Sequence, residues 1–147
     1  MKKIIVSLAL LFTAGVPTVL AHPVKDPDPL VLDAFKKEFS GAHDVKWAKE
    51  EGFDKAIFGL LGHRVIAYFN EKAELEGCIR DLFFDQLPLV VMTAVDKRFP
   101  AAVILSVREI ANTSGTSYQL ILESKEKKYN VKLGADGSIR ETEKFNR

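Results

Sequence analysis

The sequence predicts an α+β fold: tandem repeats of a helix followed by antiparallel strands, joined in one sheet of about eight strands with two helices packed on one face. Three observations carry this. Apolar side chains recur every four residues in two places, at Val31, Phe35 and Phe39 and again at Val91, Val95 and Phe99. After each run the period falls to two, the mark of half-buried strands. Alignment of the chain on itself at an offset of 60 places Ala34 on Ala94, Lys37 on Lys97 and Phe39 on Phe99, with Val45 and Trp47 falling on Leu105 and Val107. A sheet half this size leaves a face unburied. The two halves are therefore expected to share one layer of helices over one sheet.

The first helix begins at Asp28-Pro29, an N-cap residue followed by the residue best tolerated at the first helical position. Lys36, Lys37 and Glu38 take its polar side, and Ser40-Gly41 ends it. Val45 and Trp47 alternate with Lys46 and Ala48 in a first strand. After a polar break at Glu50 to Asp54 comes a hairpin. Gly62-His63 fits a two-residue turn with glycine first. That register pairs Leu61 with Arg64, Leu60 with Val65, Gly59 with Ile66, Phe58 with Ala67, Ile57 with Tyr68 and Ala56 with Phe69. A turn over Glu71 to Ala73 leads into a fourth strand at about Glu74 to Asp81.

The second helix begins near Pro88 and is closed by Pro100. Ala101 to Ile110 reads as a strand and Asn112 to Thr116 as a loop. Ser117 to Glu123 and Lys128 to Gly134 form a second hairpin, with Tyr118, Leu120 and Leu122 facing Leu133, Val131 and Tyr129. Ala135-Asp136-Gly137 suits a three-residue turn that brings Ile139 opposite Leu133.

The first stretch of the chain carries its expected address. Lys2 and Lys3 precede an apolar run, Ile4 to Val16, and Val19-Leu20-Ala21 supplies the residues a signal peptidase reads. The expected organisation is a signal peptide over 1–21, a flexible lead-in over 22–28 and one domain over 29–147, with repeat one at about 29–81 and repeat two at about 88–147. The run is shorter than the roughly 20 residues a membrane-spanning helix needs, so no stable membrane insertion is expected after cleavage. A net charge of +1 with interspersed signs in 147 residues argues against nucleic acid as a partner. The single cysteine, Cys78, allows no internal disulfide, so the apolar core must hold the fold.

The ordered set Phe35 and Phe39, Val45-Lys46-Trp47, Ala67-Tyr68-Phe69, Leu87-Pro88, Phe99-Pro100, Tyr118-Gln119-Leu120 and Asp136-Gly137 resembles the PepSY-like family, related to the fold of the β-lactamase inhibitor protein. The resemblance spans nearly all of the chain after residue 21. It implies a tandem helix-plus-sheet domain in the periplasm or outside the cell, without implying an activity. The inhibitor itself is larger and disulfide-containing, and none of its inhibitory residues carries over position by position.

Candidate chemistry is sparse. There is no G-x-S-x-G, phosphate-binding glycine loop or HExxH, so no enzyme and no catalytic residue is expected. His22, His43 and His63 lack metal-ligand spacing, and neither a metal site nor a cofactor is assigned. The hairpin register points elsewhere. If Ala56, Phe58, Leu60, Val65, Ala67 and Phe69 contact the helices, then Ile57, Leu61, Ile66 and Tyr68 face the other way, with Cys78 opposite Ile66 on that side. Sheet faces left open to water are usually polar. The second half follows that rule with Gln119, Glu123, Lys128, Asn130 and Lys132; the first half does not. The expected function is an exported, non-enzymatic binding or inhibitor-like module whose helix-free face, at Ile57, Leu61, Ile66 and Tyr68, takes an envelope or extracellular protein or peptide. The alternative is a periplasmic carrier of a small ligand or metal, and a simpler reading has Leu82-Phe83-Phe84 folded over the patch.

Overall fold

The computed structural model describes residues 26–145. The signal peptide expected over 1–21 and most of the lead-in lie outside these residues. The chain runs α1 (Pro29–Glu38), β1 (His43–Glu50), β2 (Phe53–Leu60), β3 (His63–Phe69), β4 (Leu75–Leu82), a short 3-10 turn (Phe84–Gln86), α2 (Leu89–Arg98), β5 (Val103–Asn112), β6 (Gly115–Ser124), β7 (Lys127–Gly134) and β8 (Ile139–Lys144). The eight strands form one antiparallel sheet in sequence order. Asp28 caps α1 by accepting the Leu30 N–H at 2.9 Å, satisfying one of the free donors at the helix start.

Two apolar cores lie on the same side of this sheet. Val31 and Phe35 of α1 pack on Ala56, Phe58, Val65, Ala67 and Phe69. Val91 and Val95 of α2 pack on Val107, Tyr118, Leu120, Leu122, Val131 and Leu133. Cross-strand partners share a face. The row Phe58–Val65–Arg80–Glu109–Tyr118–Leu133 therefore links the first core to the second across one surface. Its middle is polar. Arg80 donates to Glu109 at 2.9 Å, so an ion pair separates the two cores. In the first core, Phe35 meets Phe58 edge-on at 4.9 Å between centroids and Trp47 at 5.2 Å.

The two halves repeat in detail. α1 and α2 start and end sixty residues apart, and each closes with a phenylalanine amide, Phe39 or Phe99, bonded to the carbonyl of Phe35 or Val95. Strand register slips once between His43 and Lys46 and once between Ile104 and Ser106, and again at Tyr68/Phe69 and Lys132/Leu133.

Three sequence expectations need correction. The β2–β3 turn is Leu61-Gly62, with φ of 50° and 80°, and the pairs are Leu60 with His63, Phe58 with Val65, Ile57 with Ile66 and Ala56 with Ala67. Both central residues are left-handed, as in a type I′ turn, with glycine second rather than first. Moving the turn centre by one residue shifts each partner by two, which preserves the alternation, so the division of β2 and β3 between the two faces is unchanged. Cys78 pairs with Ala67, not Ile66, and joins the helix side. The physical reason is the bulge near Tyr68/Phe69, which inserts one residue and reverses the alternation in β4. Finally, β5 runs on to Asn112 and pairs it with Gly115, leaving two turn residues where a five-residue loop was expected.

Candidate functional site

The helix-free face is built from the side chains that alternate with the core. Its central row is an isoleucine ladder: Ile57 on β2, Ile66 on β3, Ile79 on β4 and Ile110 on β5 are consecutive cross-strand partners. β-Branched side chains at this spacing pack against one another. The inner member, Ile66, is only 7% exposed although no helix touches it. Its neighbours Ile57, Ile79 and Ile110 are half-buried.

On one side of the ladder runs the row Lys55–Tyr68–Gly77–Asn112. The Lys55 ammonium lies 5.6 Å from the centre of the Tyr68 ring and is hydrogen-bonded to the Glu50 carboxylate, which raises its pKa. On the other side, Asp81 sits between Arg64 and Arg108, at 3.4 Å from each.

Ile57, Ile66 and Tyr68 all lie on this face, in adjacent rows. Leu61 is 87% exposed in the β2–β3 turn and is not part of the ladder. The segment Leu82-Phe83-Phe84 does not cover the ladder. Leu82 and Phe84 pack against the second core, and Phe83 is 72% exposed. Sequence reasoning missed Ile79 and Ile110, because their place in the ladder depends on the β4 bulge and on the extra length of β5.

Beside the ladder is a cavity of about 340 Å³, whose lining includes Phe53, Tyr68, Gly77, Ile79, Ile110 and Asn112 together with Glu50, Glu51 and Glu76. Gly77 shapes it. This residue lies between Tyr68 and Asn112 and leaves a gap in the row. β4 and β5 are so close here that a Cβ at Gly77 would lie 2.9 Å from the Ala111 carbonyl oxygen.

The groups that could do chemistry are dispersed. Cys78 and His63 both point to the helix side, two side-chain rows apart, which is roughly 13 Å along the strands. Burial, with the nearby Glu109 carboxylate adding to it, pushes the Cys78 thiol's pKa up. His63 Nδ1 is 2.9 Å from the Asp81 carbonyl, and His43 Nδ1 is 2.9 Å from the carboxylate of its neighbour Asp44. Among the described residues no three His, Cys, Asp or Glu side chains come together as a metal site. Within the same residues no helix is long and apolar enough to cross a membrane.

The eight-stranded antiparallel sheet with two helices on one face is found in other solved structures. A BLIP-like protein from Bacteroides fragilis shares it, with a TM-score of 0.72 and 21% identity over 81% of this chain and 86% of that one. A DUF2874 family protein from Bacteroides uniformis gives a TM-score of 0.74 at 18% identity, covering 81% of this chain and 90% of that one. A protein provisionally assigned to the periplasm of Bacteroides eggerthii also gives 0.74 at 18% identity, over 81% and 89%. No protein-family model matches the chain. No curated protein matches it either. The likeness is one of fold.

Proposed function

We propose that this chain is an exported, non-enzymatic module of the periplasm or cell exterior that binds a protein or peptide through the helix-free face of β2 to β5. The isoleucine ladder carries the reading. Ile57, Ile66, Ile79 and Ile110 occupy the face that neither helix covers, beside Tyr68, with charged groups on both flanks. An apolar and aromatic centre within a polar rim is the anatomy of a protein interface. Export is supported by the signal-like run at residues 4–16 and by the periplasmic assignment of one fold neighbour. The dispersal of Cys78, His43 and His63 favours binding over catalysis, since a nucleophile needs its base within hydrogen-bond reach. The PepSY-like kinship drawn from the ordered motifs belongs to this same proposal.

The test is affinity capture from the envelope fraction of the producing cell, with wild type beside Ile66→Asn and Tyr68→Ser. The reading expects a species retained by wild type and lost with both variants, while circular dichroism shows both folded. Equal retention by all three removes this face from the function.

A further inference from the structure

The cavity at Gly77 has a chemistry of its own. Its lining combines apolar side chains, Phe53, Tyr68, Ile79 and Ile110, with the carboxylates of Glu50, Glu51 and Glu76. Three carboxylates stand there against one ammonium, that of Lys55, which is committed to Glu50. Glu76 accepts a hydrogen bond from the neutral Asn70 amide at 2.6 Å, and its charge is not cancelled by that bond. At about 340 Å³ the cavity lies at the small end of the roughly 300–1,000 Å³ range of ligand pockets.

We propose that this cavity is the specificity pocket of the binding face and receives a lysine or arginine side chain of the partner. The inference rests on the face reading above and adds the chemistry of the residue that anchors there. A basic side chain has the required two-part character, an aliphatic stem for the apolar lining and a cationic head for the carboxylates. The chain displays the same solution internally. Lys55 lays its ammonium over the Tyr68 ring and bonds it to Glu50, at the border of the cavity. A partner's cation enters on the far side of that pair, toward Glu51 and Glu76. An acidic side chain is disfavoured there by repulsion, and a neutral one gains no ion pair with the carboxylates.

The pocket can be tested without the partner. The 15N-labelled protein is titrated with n-butylguanidinium, and separately with valerate and n-pentanol, while amide shifts are followed. The expected result is saturable movement of the Gly77, Ile79 and Ile110 amides with n-butylguanidinium alone. Glu51→Gln combined with Glu76→Gln weakens it about three- to fivefold, as loss of partly exposed ion pairs should, and raised salt weakens it further. Silence of these amides, or equal movement with valerate or n-pentanol, overturns the proposal. The capture experiment separates the two readings. Capture lost with Ile66→Asn beside a silent titration removes the basic anchor and leaves the face. Capture indifferent to Ile66→Asn removes the face, and the anchor with it.

Discussion

The two halves of the sheet share a plan and differ most on the uncovered side. Strands β2 to β4 correspond to β6 to β8 at a spacing of 64, so the ladder Ile57–Ile66–Ile79 has as its counterpart Ile121–Asn130–Glu143. The neighbouring row Lys55–Tyr68–Gly77 corresponds to Gln119–Lys132–Glu141. On the helix side the central row of both halves is apolar, with Ala56 and Ala67 answered by Leu120 and Val131, all fully buried. The fold constrains the covered face, because each helix must bury its stripe there. It leaves the other face free. In the second half that face is ordinary solvated sheet, with Gln119 donating to Asn130 at 2.9 Å and Lys132 paired with Glu141 at 2.6 Å. An apolar ladder on β2 to β4 is thus not a requirement of the architecture, which supports the proposed binding role.

The sharpest way to break the comparison is to exchange the faces. Writing the second-half pattern onto the first, as Ile66→Asn with Ile79→Glu, is expected to abolish partner capture. The reciprocal change, Asn130→Ile with Glu143→Ile, leaves capture as in wild type. The largest stability effect belongs to the helix side. Phe69→Ala removes a fully buried ring and is expected to cost about 3–5 kcal/mol in urea unfolding. Gly77→Ala forces a methyl group against the Ala111 carbonyl and is expected to cost about 1–3 kcal/mol. Smaller again is the effect of pH through Cys78. Burial raises the folded thiol's pKa, so the folded chain holds a proton that the unfolded chain has released. That stabilisation is complete below the unfolded value of about 8.5 and is lost as pH climbs through the folded one. Cys78→Ala is therefore expected to flatten the alkaline fall in stability, and Cys78 should alkylate more slowly in the folded chain than in denaturant. The smallest change is a gain. Leu61 holds a φ of 50°, and Leu61→Asn is expected to stabilise by up to about 1 kcal/mol, seen as a higher unfolding midpoint.

Much of this was legible in the sequence, and the exceptions have specific causes. The helices, the strand order and the β6–β7 register followed from Phe35, Phe39, Val95 and Phe99 and from the alternation of Tyr118, Leu120 and Leu122. The sixty-residue spacing caught the helices and lost the later strands, because the β5–β6 hairpin is two residues longer in each arm than β1–β2. The turn at Leu61-Gly62 was misplaced because leucine is disfavoured in a left-handed conformation. Glu51-Gly52, with φ of 51° and 90°, repeats the pattern and was the available hint. The face assignment survived because the error moved the pairing by two. Cys78 did not, because a bulge moves it by one. The acidic cavity was out of reach, since its carboxylates come from the end of β1, the β1–β2 turn and β4, and Tyr68, Ile79 and Ile110 beside them come from β3, β4 and β5.

The central claim is that the uncovered face of β2 to β5 meets the partner and that of β6 to β8 does not. Equivalent positions allow a direct measurement. The photo-crosslinking residue p-benzoylphenylalanine is placed at Tyr68 in one variant and at Lys132 in another, and each is irradiated in the producing cell. The account predicts a discrete adduct from position 68 and none from position 132. An adduct from 132 alone, or equal adducts from both, would contradict it.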